Sequence, residues 1–365
     1  MKALIMAAGY GTRLEPLTLA VPKPMVPIVN KPCMQHNLEL LRRNGIHEAA
    51  VNIHYHPEQI MNYFEDGDEF GVSLIYSFEE TLLGTAGGVL RMAELLGGLD
   101  DAFLVLSSDA LTDINLRHMI AFHKKKKALA TLALASMPDP SHFGVVTLDQ
   151  NEKITAFMEK PKKEEAPGNL VNTGIYIFEP EILKMIPKGK FHDFGRELFP
   201  KLIAKKAPVY GYQMIGYWSD VGGLDAYIRA NYEAMKGDVR VFIPGKKISS
   251  YGWAGKNSQI DESVKFDGCV IIGDRAEIRR GARLKDVVLG DRCVVGENSV
   301  INGSIIWSDS SLSKNSRIEK SVIGNWCRLG EGVEVQKNSI ISNRCQIGQG
   351  IRIPEDTRLK PNEIL

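Results

Sequence analysis

Net charge is nearly absent from this 365-residue chain, in which 45 lysines and arginines face 44 aspartates and glutamates. Without a strong field of one sign, nothing in the composition recruits nucleic acid or anionic membrane. The one basic block, Lys124 to Lys127, reads more simply as a solvated helix end than as a binding patch. Long apolar runs are also lacking, and none reaches the length of a membrane span. The short apolar stretch at residues 3–8 ends in a Gly-Tyr-Gly turn instead of a signal-peptide cleavage site. Cysteine is scarce: five residues, odd in number and scattered, lack metal-ligand spacing and point to a reducing compartment. A soluble, cytoplasmic protein is expected. Histidine stops early, since all eight lie at or before His192.

What is present divides the chain. Its length exceeds one comfortable core, so two domains are the starting expectation. Up to residue 235, short apolar runs alternate with amphipathic stretches. ALIMAA, EAAVNIHY, SLIYS, AFLVLSS, LATLALA, GVVTL and VNTGIYIF read as strands, with helices over Gln35 to Asn44 and Leu116 to Lys126. Such α/β alternation predicts a mostly parallel sheet covered on both faces, with ligands beyond the carboxyl ends of its strands. Residues 236–255 read as a polar linker.

Over residues 256–365 the pattern changes to a hexad. Large aliphatic or aromatic residues recur from Ile260, Phe266, Ile272, Ile278 and Leu284 through to Leu359. Between Leu284 and Val335 the steps run five, six and six, a 17-residue period. Two positions earlier the side chain is usually small, as at Cys293, Ser310, Ser316, Cys327 and Cys345, and glycine often follows, as at Gly273, Gly290 and Gly324. A hexad matches neither helix nor heptad; it predicts a parallel β-helix, a triangular coil with the aliphatic residues stacked inside. Three cysteines then become interior small residues. A coil of this length offers flat packing surfaces, so a homo-oligomer assembled through it is expected.

The chemistry concentrates in a few short stretches. MAAGYGTRLEPLTLAVPKPMVPI follows the first strand, and it is neither G-x-G-x-x-G nor a P-loop. A glycine turn exposes backbone N–H groups to anionic oxygens, Arg13 adds a planar fork, and Lys23 adds a compact charge flanked by prolines. Asp109, in SSDAL, ends a buried strand, and Asp220 lies in YWSDVGG. Oxygen ligands at strand ends suit Mg²⁺, although a turn or cap role explains either aspartate alone equally well. Glu159-Lys160-Pro161 sets a lysine before a proline beside a carboxylate. Gly84-Thr85-Ala86-Gly87-Gly88 opens a helix with small residues, which serves either approach of a flat base or plain packing. His54 and His56 stand at strand spacing, and a strand end leading into a Pro57 helix accounts for them as well as a metal does.

GYGTRLEPLT with PKPMVPI resembles the signature of sugar-nucleotide pyrophosphorylases, the NDP-sugar nucleotidyltransferases. The similarity continues in order through GTAGG, SSDAL, FGVV, EKP, NTG and YWSDVGG, across residues 1–235. Within that family the motifs look most like those of mannose-1-phosphate guanylyltransferases. The resemblance implies a Rossmann-like nucleotidyltransferase domain followed by a left-handed parallel β-helix of hexapeptide repeats. It implies that Ala8, Gly9, Gly11, Thr12, Arg13, Lys23, Gly84, Thr85, Gly87 and Asp109 hold a nucleoside triphosphate. Gly144, Glu159, Lys160, Asn172 and Thr173 would hold the sugar 1-phosphate, and Asp109 and Asp220 would share Mg²⁺. Arg13, Lys23 and Lys160 are the expected catalytic residues. One departure is visible: Ser107-Ser108 stands where the family commonly has Asn-Gly.

The implied reaction is GTP plus mannose 1-phosphate giving GDP-mannose and pyrophosphate. Alternatives are the same reaction with UTP, dTTP or ATP and another sugar 1-phosphate such as glucose 1-phosphate, or a non-catalytic subunit that binds NDP-sugar. β-Helices of this hexad type also occur in acyltransferases that use a histidine base in or near the coil, and this coil contains no histidine.

Overall fold

The computed structural model describes residues 1–365. In chain order its first strands are β1 (Ala3–Met6), β2 (Pro27–Ile28), β3 (Lys31–Pro32), β4 (Glu48–Ile53), β5 (Ser73–Phe78), β6 (Phe103–Ser107) and β7 (Ala110–Thr112). They continue with β8 (Ala130–Ser136), β9 (Gly144–Leu148), β10 (Ile154–Glu159), β11 (Leu170–Phe178), β12 (Val209–Gln213) and β13 (Trp218–Asp220). The helices are α1 (Cys33–Arg43), α2 (Pro57–Phe64), α3 (Gly84–Leu95), α4 (Leu116–Lys126), α5 (Phe199–Ala204) and α6 (Leu224–Lys236), and short coil strands follow α6. None of these helices is long and apolar enough to cross a membrane. The chain divides into two compact units, Met1–Tyr10 with Cys33–Asp220 and Gly11–Pro32 with Val221–Leu365.

The first unit is built on a nine-stranded mixed sheet ordered β10-β9-β11-β6-β1-β4-β5, with β8 beside β11 and β12 beside β8. Strands β5, β4, β1 and β6 are mutually parallel, and β1, β4 and β6 are near-continuous apolar runs because both of their faces are covered. Strand β11 runs antiparallel to β6, β8 and β9, so the sheet is parallel on one side of β11 and mixed on the other, where β12 pairs parallel with β8. The core beneath it is aromatic: Tyr176 stacks on Phe178 at 5.3 Å, and Phe194 stacks on Phe199 at 5.6 Å. Buried Tyr176 keeps its hydroxyl satisfied through Asn172 Nδ2 at 2.8 Å. Helix α4 begins where Asn115 accepts the His118 amide at 3.1 Å, a side-chain cap.

The second unit contains the coil. Parallel pairing aligns its interior into three columns, one for each face of a triangle. Ile272, Leu289, Ile306, Ile323, Ile341 and Leu359 form one. The second runs Ile260, Ile278, Val295, Leu312, Leu329, Ile347, and the third Phe266, Leu284, Ile301, Ile318, Val335, Ile353. Every member from Ile272 onward is buried, each contributing roughly 1.5–3 kcal/mol. Phe266 departs from the expected interior: it is 38% exposed. It pairs with Leu284 on one side only and has no preceding rung in its column to close over it. The small interior residues tie rungs together; Ser310 Oγ donates to Gly324 O at 2.7 Å, and Cys293 Sγ to Trp307 O at 3.0 Å. All five cysteines are free and buried.

Candidate active site

In the first unit, β1 runs into buried Ala7 and Ala8, then Gly9, whose α-carbon faces open space. A buried polar chain holds this strand end. The Ala7 amide donates to Asn52 Oδ1 at 2.7 Å, Asn52 Nδ2 donates to Glu79 Oε1 at 2.8 Å, and the Leu83 amide donates to Glu79 Oε2 at 2.9 Å. The end of β1 is thereby fastened to the start of α3. Neither Asn52 nor Glu79 was among the residues expected from sequence; the available signal was a lone asparagine inside an otherwise apolar strand.

The small residues of the Gly84–Gly88 stretch have steric causes. A Cβ on Gly84 would meet His192 O at 2.6 Å, one on Gly87 would meet Lys190 O at 2.9 Å, and one on Gly88 would meet Glu79 Oε1 at 2.6 Å. The amides of Ala86 and Gly87 donate to His192 O, at 2.9 and 3.1 Å. Thr85 Oγ1 donates to Asp193 Oδ2 at 2.9 Å and accepts the Phe194 amide at 2.8 Å. Close backbone packing therefore accounts for the glycines at this helix start, and no side chain of the loop is left to read a base by itself.

Asp109 follows β6 and precedes β7, while β13 pairs antiparallel with β7 so that Asp220 lies opposite Ala110. Asp220, more than a hundred residues further along the sequence, is thus set opposite the residue that follows Asp109. Ser107 occupies the departure noted above. Its hydroxyl donates to Asp109 Oδ1, its carbonyl accepts from Asn37 Nδ2 at 3.2 Å, and the Ser108 amide donates to Met6 O at 3.0 Å. Neither serine adopts a positive φ, so the backbone here needs no glycine.

The Asn172–Gly174 stretch interrupts the pairing of β11 with β8. Gly174 has φ +77°, and a Cβ there would stand 3.1 Å from Ser107 Cβ. This irregularity brings NTG against SSD. Thr173 is buried, its hydroxyl committed to Ala133 O at 2.8 Å, while Thr173 O accepts from Trp218 Nε1 at 3.1 Å. Trp218 also meets Phe143 edge-on at 5.4 Å. The Lys160 amide donates to Phe143 O at 3.0 Å, and Lys160 holds φ +47°, an uncommon conformation for a lysine. Its Nζ lies 3.9 Å from Glu159 Oε1.

Glu159 faces Gly144 across the β9–β10 pair, and Glu159 Oε2 would stand 3.0 Å from a Cβ on Gly144 and 2.5 Å from one on Gly195. Burial pushes its carboxyl pKa upward, against the pull of Lys160 and Arg196, and Asp193 adds to the rise. SSD, EKP, NTG and YWSD are thus gathered within the first unit. His54 and His56 do not share a ligand. His54 sits between Glu79 O and the Tyr10 hydroxyl, at 2.7 and 2.9 Å, and His56 turns at φ +47° to begin α2.

In the second unit, Gly11 turns at φ +71° and Thr12–Leu14 form a single 3₁₀ turn with Thr12 and Arg13 exposed. Thr18 Oγ1 donates to Gly11 O at 2.9 Å from a second 3₁₀ turn, Leu17–Leu19, and Lys23, 9% exposed, starts a third after extended Pro22. The Lys23 stem lies beside Gly11, in the space a Cβ there would need.

No group of three or more histidine, cysteine or acidic side chains gathers into a metal cage, and oxygen donors such as Asp109 and Asp220, the latter opposite Ala110, would fit a hard cation that keeps much of its water shell. Within the first unit, the mixed sheet carries Asp109, Asp220 and the Glu159-Lys160-Pro161 corner on its strand ends and connections. The chain belongs to the nucleotidyl transferase family, whose model matches residues 2–237. The EIF2B subunit epsilon LbH domain model matches residues 250–353, across most of the coil. Among curated proteins, the chain is 38% identical to a UTP–glucose-1-phosphate uridylyltransferase from Synechocystis, over 92% of this chain and 91% of that one. It is 34% identical to mannose-1-phosphate guanylyltransferase 1 of Arabidopsis thaliana, over 92% of each. Among solved structures, a UDP-glucose pyrophosphorylase complexed with UDP-glucose aligns with a TM-score of 0.56 at 26% identity, covering 64% of this chain and 98% of that one.

Proposed function

We propose that the protein transfers a nucleotidyl group from a nucleoside triphosphate to a sugar 1-phosphate, releasing pyrophosphate. A phosphate oxygen of the sugar 1-phosphate attacks the α-phosphorus; the bond from that phosphorus to the bridging oxygen of pyrophosphate breaks, and the electron pair leaves with pyrophosphate. The nucleophile is already anionic at neutral pH, so the step needs no general base, and the obstacle is repulsion between two anions. Arg13 and Lys23 take the triphosphate, Lys160 takes the phosphate of the sugar substrate, and Glu159 accepts sugar hydroxyls. Asp109 and Asp220 would hold a divalent ion, Mg²⁺ by its preference for oxygen, which when bound supplies positive charge against the phosphates. The remaining task is alignment and charge, which fixed side chains perform with little reorganisation.

The observation that carries this reading is the β7–β13 pairing, which sets Asp220 opposite the residue after Asp109 while Trp218 of the same strand bonds the NTG motif. For the substrates, GTP with mannose 1-phosphate is the first reading. It is supported by the GYGTRL, PKPMVPI and GTAG motifs and by a group of guanylyltransferase relatives at 32–34% identity. UTP with glucose 1-phosphate is the second, favoured by the uridylyltransferase relative at 38%. Pyrophosphate release is measured across a grid of nucleoside triphosphates and sugar 1-phosphates. The GTP–mannose 1-phosphate pair is expected to exceed all others, a maximum at UTP–glucose 1-phosphate selects the second reading, and silence throughout overturns catalysis in favour of a binding subunit.

A further inference from the structure

One column of the coil carries an irregularity. The residues that follow the aligned set Ile272, Leu289, Ile306, Ile323 and Ile341 are Gly273, Gly290, Trp307, Gly324 and Ser342. At three of these positions the rungs pass too closely for a side chain; a Cβ on Gly273, Gly290 or Gly324 would stand 2.3–2.4 Å from atoms of the next rung. Two positions break the rule, and both are buried: Trp307 is 1% exposed and Ser342 fully covered. Both reach out of the coil. Trp307 Nε1 donates to the Tyr227 hydroxyl of α6 at 2.8 Å, and Ser342 Oγ donates to Pro16 O at 2.8 Å.

Pro16 lies between Arg13 and Lys23 in the glycine-turn loop. The stretch that follows that loop is tied to the rest of its unit at two further points. Asn30 Nδ2 donates to Leu289 O at 2.8 Å, on the same coil corner, and the Val29 amide donates to Asn231 Oδ1 of α6 at 2.9 Å. Asn231 Nδ2 in turn donates to Tyr227 O, at 3.1 Å, so the α6 tie and the Trp307 tie form one brace.

We propose that the coil is a working part of the nucleotide grip, with Ser342 as the positioning residue that holds the Arg13–Lys23 loop in its binding conformation. This rests on the proposed role of that loop in binding the triphosphate. A carbonyl in the middle of the loop is fixed by a residue 326 positions away, so the loop's shape depends on the coil being folded and in register. Losing the hydroxyl frees the loop without touching the sugar-phosphate residues.

The test compares Ser342→Ala with Ser310→Ala in the full-length protein. Ser310 is an equally buried coil serine, but its hydroxyl bonds only within the coil, to Gly324 O and the Cys327 amide. Two quantities are read: the KM for each substrate, and amide hydrogen exchange over residues 11–22. Ser342→Ala is expected to raise the KM for the nucleoside triphosphate about three- to tenfold, the effect of one buried neutral hydrogen bond, with the sugar 1-phosphate KM within about twofold. Exchange over residues 11–22 should quicken in Ser342→Ala and stay at the wild-type rate in Ser310→Ala. Unchanged exchange in Ser342→Ala, or equal effects in the two variants, overturns the inference. Quicker exchange with an unchanged nucleotide KM overturns the loop's role in the triphosphate site instead. An enzyme silent with every substrate pair overturns the proposed function, and the exchange measurement still decides whether the tie orders the loop.

Discussion

A Cβ added to Gly11 would stand 2.9 Å from Lys23 Cβ and 3.2 Å from Thr18 Cγ2, so the turn and the lysine stem compete for one space. Gly11 also holds φ +71°, where an L side chain costs roughly 1–2 kcal/mol. Gly11→Ala should therefore displace Lys23 as well as strain the turn. The expected outcome is a rise in nucleotide KM of at least about tenfold, since contact and backbone terms act together. Initial rates with the triphosphate varied at saturating sugar 1-phosphate measure it.

Asp109 and Asp220 carry the metal assignment. Replacing either with asparagine keeps the shape and removes the charge, and Ser107 retains an acceptor at position 109. Turnover should fall on the order of 10²–10³-fold, the scale of losing one preorganised electrostatic contact. The Mg²⁺ concentration for half-maximal rate should rise in Asp220→Asn, while circular dichroism stays that of the wild type. Activity within tenfold of the parent in both variants would remove these aspartates from the site.

Glu159 gives a signed pH dependence. Burial raises its pKa above the ordinary 4.5, so the folded chain holds the proton more tightly than the unfolded chain does. The stability contribution is present below pH 4.5 and is lost as the pH rises through the raised value. At neutral pH the charged carboxylate therefore weakens the fold. Glu159→Gln should melt higher than the wild type near pH 8, lose that advantage near pH 4, and bind the sugar 1-phosphate less tightly. Thermal melts at the two pH values, paired with sugar-phosphate KM, measure the exchange of stability for function.

The thiols should be inert in the native state. All five cysteines are buried, and burial pushes the Cys293 thiol up to about 12, far from the reactive thiolate. A colorimetric thiol reagent should find almost nothing before denaturant is added and five thiols after. Cys269, 6% exposed, should be the first to react as the protein loosens.

The coil was legible because its period is a direct image of its geometry: each hexad is one face, and every aliphatic position from Ile272 to Leu359 went inside. Phe266 escaped because burial at an end depends on a neighbouring rung, which no periodicity reports. In the first unit, β1, β4, β6 and β8 were visible as apolar runs, and α4 was found at Leu116–Lys126. Strand β10 and the β7–β13 pair were not, since β10 is half-exposed and β7 and β13, at three residues each, are too short to show a period. For the site, the motifs named the charged residues, while Asn52 and Glu79 stayed hidden as ordinary polar letters. The Gly84–Gly88 stretch was legible as small but not as to cause, which lay in carbonyls a hundred residues downstream.

The composition of the chain changes near residue 236, yet the packing unit that includes the coil reaches back to claim residues 11–32. A chimera made by cutting at the composition boundary would separate Ser342 from Pro16 and Asn30 from Leu289. Exchanging tails between relatives therefore amounts to exchanging half a clasp. Donor and recipient segments at both ends of the polypeptide would have to travel together for the hybrid to keep its grasp.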